Sequence, residues 1–241
     1  DCLDFQDYQD CIGRRAGEHN RRHRMETQSQ ALHPSAASLV RDDEDVRDDM
    51  AYFRKLGIPY EPQSLIEVLT RHKPKSAMPV ACHSLADMRA QEAIAVLKSL
   101  ADFPIQDVKA TSVLAVARLC GKDETPWLVE CLTRKGTLKG YVLWALAAVA
   151  DPRAYAAVKA WFVPQLSKLE RNPEADSRGN VVYAVAYLEQ MTQHYPEVSE
   201  LLERFRKVAP QLPGNIPSEL AFFTRMFSAW KTDPPRRKSG A

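Results

Sequence analysis

The chain has 241 residues, of which 45% are hydrophobic and 27% are charged, and its formal net charge is +2. These values are typical of a globular protein that buries a core without metals or disulfides, and the balanced charge does not favour a dedicated nucleic-acid binder. No run of about 18 apolar residues is present, so the sequence predicts no membrane-spanning helix.

The first segment, residues 1–41, is polar and charged and has no clear hydrophobic period. We predict a charged N-terminal arm here and assign it no secondary structure. The arm holds Cys2 and Cys11, which would pair in an oxidising compartment. We therefore expect a soluble protein of the cytoplasm, or of the periplasm if these two cysteines form a disulfide.

Helical signals begin after the arm. A group of carboxylates opens the segment, where they complement the positive end of a helix dipole; they are Asp42, Asp43, Glu44, Asp45, Asp48 and Asp49. An apolar face is predicted from residues at helical spacing, namely Val46, Met50, Phe53 and Leu56. The carboxylates also form a candidate acidic patch that would suit a basic surface on a partner.

A second helix is predicted directly after the first. Gly57 is expected to end the first helix and Pro59 to block its continuation, while Pro62 suits the first turn of the next helix. The apolar side of this second helix is supplied by Leu65, Ile66, Val68 and Leu69. Two helices joined by so short a turn form an αα-hairpin.

An eight-residue pattern then recurs in four copies, which begin roughly 30–40 residues apart, at Met78, Ser112, Val142 and Val181. Alanine holds the fourth place of every copy, at Ala81, Ala115, Ala145 and Ala184. A small residue at a fixed place lets neighbouring helices approach closely, and one helix pair cannot cover its own apolar face. A two-helix repeat of this length is the signature of a helical solenoid.

The most informative unit is residues 149–158, Val-Ala-Asp-Pro-Arg-Ala-Tyr-Ala-Ala-Val, in which Asp-Pro opens the second helix of a pair. This unit resembles HEAT repeats, in particular the short HEAT-like type of phycobilisome-lyase-like and other bacterial proteins. The resemblance covers roughly residues 62–191. It implies an all-α fold, a right-handed α-α superhelix of about four helix pairs with capping helices, which we place at residues 42–231.

The C-terminal part is expected to close the array. One helical stripe is formed by Val198, Leu201, Leu202 and Phe205, and a second by Leu220, Phe223, Phe227 and Trp230. Repeat arrays need capping helices at their ends, so we predict a cap from the second stripe, with a partner-docking helix as the alternative. Residues 232–241 are basic and rich in proline, and we predict a disordered tail there.

A search for catalytic patterns finds none. The sequence holds no G-x-x-x-x-G-K-[ST] or G-x-G-x-x-G loop and no G-x-S-x-G elbow. His19 and His23 have the spacing of one helix face, but a zinc site needs more ligands than two. We expect no enzyme, no metal and no cofactor. The cysteines inside the helical patterns, Cys82, Cys120 and Cys131, are expected to be small buried side chains.

Candidate partner-binding residues follow from the resemblance, because the second helices of HEAT-like pairs line a concave face. The polar and aromatic residues expected on that face are Lys109, Lys139, Tyr141, Arg178, Asn180 and Tyr187. Tyr141 and Tyr187 fall outside the consensus apolar places of the repeat, and we expect both on an exposed ridge. Trp144 and Tyr183 share one repeat position, which favours core packing. A merely solvated face is the alternative for the polar residues.

The leading functional hypothesis is a non-enzymatic protein-binding module, motivated by the repeat array, the missing catalytic motifs and the balanced charge. A bacterial inhibitor or immunity-type protein that blocks a toxin or an enzyme is one specific role, since the acidic patch suits a basic cleft. A nucleic-acid binder similar to HEAT-like DNA glycosylases is an alternative, although the weak net charge disfavours a polyanion. A bilin lyase-like protein is a further alternative that rests on the repeat alone.

Overall fold

A computed structural model of the chain describes residues 43–135, 138–173 and 180–212. These ranges fold into helices and short 3-10 turns and contain no strand, which confirms the all-α prediction. The α-helices are α1 (Asp43–Lys55), α2 (Pro62–Arg71), α3 (Met78–Asp87), α4 (Ile94–Ser99), α5 (Gln106–Cys120), α6 (Thr125–Thr133), α7 (Lys139–Val149), α8 (Tyr155–Arg171), α9 (Asn180–Met191) and α10 (Val198–Val208). The predicted arm, the cap from the second stripe and the basic tail lie outside the described residues.

The helices contact one another in two series. In the central series α1 packs on α3, α3 on α5, α5 on α7 and α7 on α9. In the flanking series α2 meets α4, α6 meets α8 and α8 meets α10, and each flanking helix also packs on a central one. Contacts that run from each pair to the next are what stacked helix pairs produce.

Central helices α3, α5, α7 and α9 are buried on nearly every side, whereas most residues of α1 are exposed or half-buried. In α3 every residue from 78 to 86 is buried, and in α7 the same holds for residues 142–148. A helix that is apolar all round belongs in the interior, since it has neighbours of its own series on both sides and flanking helices beside it. The repeated alanines Ala81, Ala115, Ala145 and Ala184 are all fully buried, as the packing argument predicted.

Flanking helices are amphipathic instead. The stripe that the sequence predicted for α10 is buried, and so is most of the apolar side predicted for α2. The chain leaves α1 through Gly57, whose φ of +68° lies in the left-handed region that glycine adopts without strain. The Gly-Pro turn predicted between α1 and α2 is therefore present.

Helix α1 differs from the prediction in which face it buries. Met50, expected in the apolar face, is 40% exposed, while Asp49 is only 8% exposed. The hydroxyl of Ser84 on α3 donates a hydrogen bond to Asp49 Oδ2 at 3.0 Å. Because Asp49 lies one turn before the buried Phe53, it shares that face of the helix, and the hydrogen bond satisfies its carboxylate there.

Side chains tie successive turns together at the C-terminal ends of the central helices. Arg153 Nη2 donates to the carbonyl of Lys122 at 2.5 Å, which links the turn before α8 to the turn before α6. The phenol of Tyr195 donates to the carbonyl of Pro152 at 3.2 Å, which links the next turn in the same way. We call these two hydrogen bonds the turn ties. No helix in the described ranges combines the length and apolar character needed to cross a bilayer.

Candidate functional site

Three aromatic rings lie side by side at the N-terminal ends of α7 and α9. The ring centroids of Tyr141 and Trp144 are 6.2 Å apart with 19° between their planes, and those of Trp144 and Tyr183 are 5.5 Å apart with 4°. Trp144 is fully buried, whereas both tyrosines are half-buried. We call these three residues the aromatic row. Its central ring is fixed by the core, and its outer rings reach the surface.

The side chain of Asn180, the first residue of α9, lies against Gly140 of α7. A Cβ placed on Gly140 would overlap Oδ1 of Asn180. A larger residue at position 140 would therefore displace the Asn180 side chain. This contact brings Asn180 beside the aromatic row.

Lys139, the first residue of α7, is directed to the neighbouring helix α6. Its Nζ donates to the carbonyl of Cys131 at 3.2 Å and to the carbonyl of Arg134. These carbonyls belong to the end of α6, where the helix leaves its last acceptors without intrahelical donors, and a lysine is a common cap there. Burial lowers the pKa of Lys139. This lysine therefore supports the joint between α6 and α7.

Arg134, whose carbonyl accepts from Lys139, forms ion pairs on the other side of α6. Its guanidinium binds the carboxylates of Asp102 at 2.6 Å and Glu130 at 2.5 Å. Asp102 lies in the turn after α4, so the arginine connects the C-terminal ends of two flanking helices.

The six residues predicted to bind a partner are only partly brought together. Tyr141 and Asn180 lie at the neighbouring starts of α7 and α9, whereas Lys139 begins α7 but is directed to α6. Lys109 is half-buried in the first turn of α5, which packs on α7. Arg178 lies outside the described residues. The structure thus collects two of the six residues with Trp144 and Tyr183, which the sequence had assigned to packing.

The expected exposure of Tyr187 is wrong. Its side chain is fully buried, and its hydroxyl donates to the carbonyl of Asp151 at 2.7 Å. Burial raises the pKa of Tyr187. The residue falls outside the consensus apolar positions, but α9 is covered on that side by the turn that follows α7, so the ring enters the core and its hydroxyl finds a main-chain acceptor.

The predicted acidic patch is graded in exposure. Glu44 is exposed, Asp45 and Asp48 are half-buried, and Asp49 is buried against α3. Asp49 is therefore wrongly placed in a surface patch, because Ser84 uses its carboxylate inside the protein. Asp42 and the side chain of Asp43 lie outside what the structure describes.

One polar centre lies where the sequence predicted only a repeat feature, the Asp-Pro that opens the second helix of a pair. Asp151 is 3% exposed, and its carboxylate accepts hydrogen bonds from the amide and Nε of Arg153 at 3.0 and 2.8 Å and from Thr125 Oγ1 at 2.7 Å. Burial alone raises the pKa of Asp151, but these hydrogen bonds outweigh it and bring the pKa to about 2. The carboxylate fixes the turn between α7 and α8 and is closed to a ligand.

The described ranges contain no group of at least three His, Cys, Asp or Glu residues that is arranged to hold a metal ion. Cys82 and Cys131 are buried thiols, as predicted, and Cys120 is half-buried. Comparisons with known protein families, curated proteins and solved structures find no match to this chain.

Proposed function

We propose that the chain is a protein-binding module, a HEAT-like right-handed superhelix that holds a partner protein and performs no catalysis itself. The aromatic row is the observation that carries the proposal. Tyrosine, tryptophan and arginine are the residues enriched in interface hot spots, and a tyrosine has few side-chain torsions to fix when it binds. Tyr141 and Tyr183 meet this description because each stacks on a buried tryptophan and keeps part of its ring exposed.

Support for the superhelix comes from the order of the contacts. Central helices pack each on the next, flanking helices lie beside them, and the repeated alanines of the central helices are fully buried. A stack of this kind presents the ends of its helices as a continuous surface. The aromatic row lies on that surface at the third and fourth copies of the repeat.

The inhibitor or immunity-type role expected from the sequence is a narrower form of the same proposal. It requires that the partner be an enzyme or a toxin whose activity falls on binding. The identity of the captured partner, followed by an assay of its activity with and without this chain, decides between that role and a scaffold.

A photo-crosslinking experiment tests the main proposal. Benzoyl-phenylalanine is incorporated at position 183 and, separately, at position 50, and the chain is irradiated in extract from the native source. Met50 is an exposed apolar residue on α1, away from the row, and serves as the matched control. We expect one protein to crosslink at position 183 and not at position 50.

A pull-down with variants that lack the photo-crosslinker tests the same proposal independently. The protein that crosslinks should be retained by the wild type and by Met50→Ala, and it should be lost from the double variant Tyr141→Ala/Tyr183→Ala, whose folding is checked by circular dichroism. Retention of the same partner by the double variant, or crosslinking to no protein at position 183, contradicts the proposal.

A further inference from the structure

The two rims of the helix stack differ in charge. At one rim lie the C-terminal ends of the flanking helices, and exposed basic side chains are concentrated there. We call this set the basic edge; its members are Arg71, Lys73, Lys75, Lys135, Lys168 and Arg171. At the other rim carboxylates outnumber basic residues among the described residues, most clearly around the start of α10, with Glu189, Glu197 and Glu200.

Acidic residues beside the basic edge are paired with arginines, of which only Arg71, bound to Glu67, belongs to the edge. Arg134 binds Asp102 at 2.6 Å, and Arg204 binds Glu170 at 2.8 Å. The positive charge of the remaining lysines is therefore not cancelled by these carboxylates. The edge keeps a positive field although the whole chain carries a formal net charge of only +2.

Helix stabilisation explains only part of this charge. Arg71, Lys168 and Arg171 lie in last helical turns, where a cation complements the negative end of the dipole. Lys73, Lys75 and Lys135 lie beyond the ends of α2 and α6, in turns or in a 3-10 segment, and are exposed. The dipole effect falls off within the last turn, so these three lysines contribute little to the helices that precede them.

We infer that the basic edge docks an acidic segment of a partner protein, next to the aromatic row. The inference rests on the proposed function and adds the chemistry of the partner. Lys135 lies just after the end of α6 and Arg171 ends α8, and these two helices pack on α7 and α9, which carry Tyr141 and Tyr183. An apolar anchor with a charged surround is the usual arrangement of a specific interface, in which the charges steer the encounter and fix the register.

The modest charge of the chain favours protein carboxylates over nucleic acid. Binding of duplex DNA depends on several phosphate contacts, and a dedicated nucleic-acid binder usually has a strongly basic domain or face. This chain carries a formal net charge of only +2. A short acidic protein segment needs fewer cations than a duplex and matches the edge better.

Binding of a labelled poly-glutamate peptide, followed by fluorescence anisotropy at low salt, tests the inference without the unknown partner. We expect the full chain to bind it, and the variant Lys73→Glu/Lys75→Glu/Lys135→Glu to bind at least about tenfold more weakly. The matched control Arg54→Glu/Lys55→Glu/Lys122→Glu reverses the same number of exposed charges at positions away from the edge. Its affinity for the peptide should stay within about twofold of the wild-type affinity. Non-specific attraction is screened by salt, so the salt dependence of binding is measured for both variants and used to correct this comparison. The edge lysines Lys73, Lys75 and Lys135 are also changed to glutamine, which removes their charge without adding carboxylates that repel the peptide.

Three results with the poly-glutamate and DNA probes overturn the inference. One is the absence of poly-glutamate binding at low salt, and another is an equal loss in the edge variant and its control. The third is tighter binding of single-stranded or duplex DNA of the same total charge, which would assign the edge to nucleic acid. A partner that crosslinks at position 183 but is unaffected by the edge variants leaves the protein-binding proposal standing and removes only the acidic partner.

Discussion

The phenol of Tyr187 donates a hydrogen bond of 2.7 Å to the carbonyl oxygen of Asp151, 36 residues earlier in the chain. The bond joins the middle of α9 to the turn between α7 and α8. Both groups are buried, so neither has water as an alternative partner. A residue expected at a binding surface is therefore part of the joint between α9 and the turn that follows α7.

Replacing Tyr187 by phenylalanine should lower the free energy of unfolding by about 1–2 kcal/mol, because the carbonyl of Asp151 would lose a donor inside the protein. Urea denaturation measures the change. Tyr195→Phe is the matched control, since its hydroxyl makes a longer bond of 3.2 Å and its ring is half-buried. If Tyr195→Phe lowers the free energy of unfolding as much as Tyr187→Phe or more, the buried hydrogen bond of Tyr187 is not the stronger contributor.

Asp151 should make stability depend on pH in the acid range. Its folded-state pKa of about 2 lies below the ordinary value of 3.8, so the carboxylate contributes stability above about pH 4 and loses it as pH falls towards 2. We expect Asp151→Asn to cost about 2 kcal/mol near neutral pH. The difference between wild type and variant should shrink on acidification.

Denaturation of both proteins at several pH values between about 6 and 3 checks this. Because the comparison is between two chains that share every other carboxylate, their common acid effects cancel. If the difference in the free energy of unfolding between wild type and Asp151→Asn stays constant with pH, the charge of the carboxylate contributes nothing to stability. The variant would then lose only packing or hydrogen-bond geometry.

Lys139→Met should destabilise the joint between α6 and α7 by about 1 kcal/mol, since the last carbonyls of α6 lose their donor. Burial places the folded-state pKa of Lys139 below its ordinary value of 10.5. The folded state thus binds this proton less tightly than the unfolded state, and the stability of the wild type should rise relative to the variant as pH increases towards that value.

Thermal or urea unfolding at neutral and alkaline pH measures both effects. Lys135→Met offers a control that removes an exposed lysine from the same turn, and it should change stability by less than about 0.5 kcal/mol. A flat pH dependence of the difference between wild type and Lys139→Met would show that this lysine is as well solvated as Lys135.

The ion pair between Asp87 and Arg118 should matter more than an exposed pair. Their side chains, on α3 and α5, are 13% and 17% exposed, against 53% and 74% for the pair of Glu67 and Arg71 on α2. Removing one member of a largely buried pair leaves the other poorly solvated. Asp87→Asn is expected to cost about 1–3 kcal/mol, and Glu67→Gln less than about 0.5 kcal/mol.

Salt provides the check on this comparison. Added sodium chloride should reduce the small effect of Glu67→Gln, because exposed charges are screened within about 10 Å at moderate ionic strength. The effect of Asp87→Asn should persist. If Asp87→Asn and Glu67→Gln lower the free energy of unfolding equally, and salt reduces both effects equally, the pair of Asp87 and Arg118 contributes no more than an exposed pair.

Hydrophobic periodicity predicted much of the fold and less of the site. The repeated alanines, the stripe of α10 and the side of α2 that faces inwards were all evident from spacing, because each depends on a local helix and its nearest neighbours. The burial of Tyr187 was not evident. Its position lies outside the apolar stripe, but a central helix is covered on several sides, so lying outside the stripe no longer means facing water.

Tertiary hydrogen bonds account for the other differences. Lys139 looked like a solvent-facing residue at a helix start, and only the placement of α6 beside α7 gives it two carbonyls to cap. Met50 and Asp49 exchanged their expected exposure because Ser84 on α3 offers a partner for the carboxylate. Such contacts join residues that are distant in sequence, and no short pattern in the chain encodes them.

The turn ties affect how local unfolding of one helix pair is coupled to unfolding of the next. In the stack of helix pairs that we propose, each unit touches only its neighbours, so the strength of the interfaces decides whether units unfold singly or together. Arg153 and Tyr195 each reach the main chain of the preceding turn, so separating one unit breaks a hydrogen bond belonging to the next. Hydrogen exchange in α6, α8 and α10 should therefore occur through shared openings, and a partner that grips one end of the stack would slow exchange at the far side of these ties.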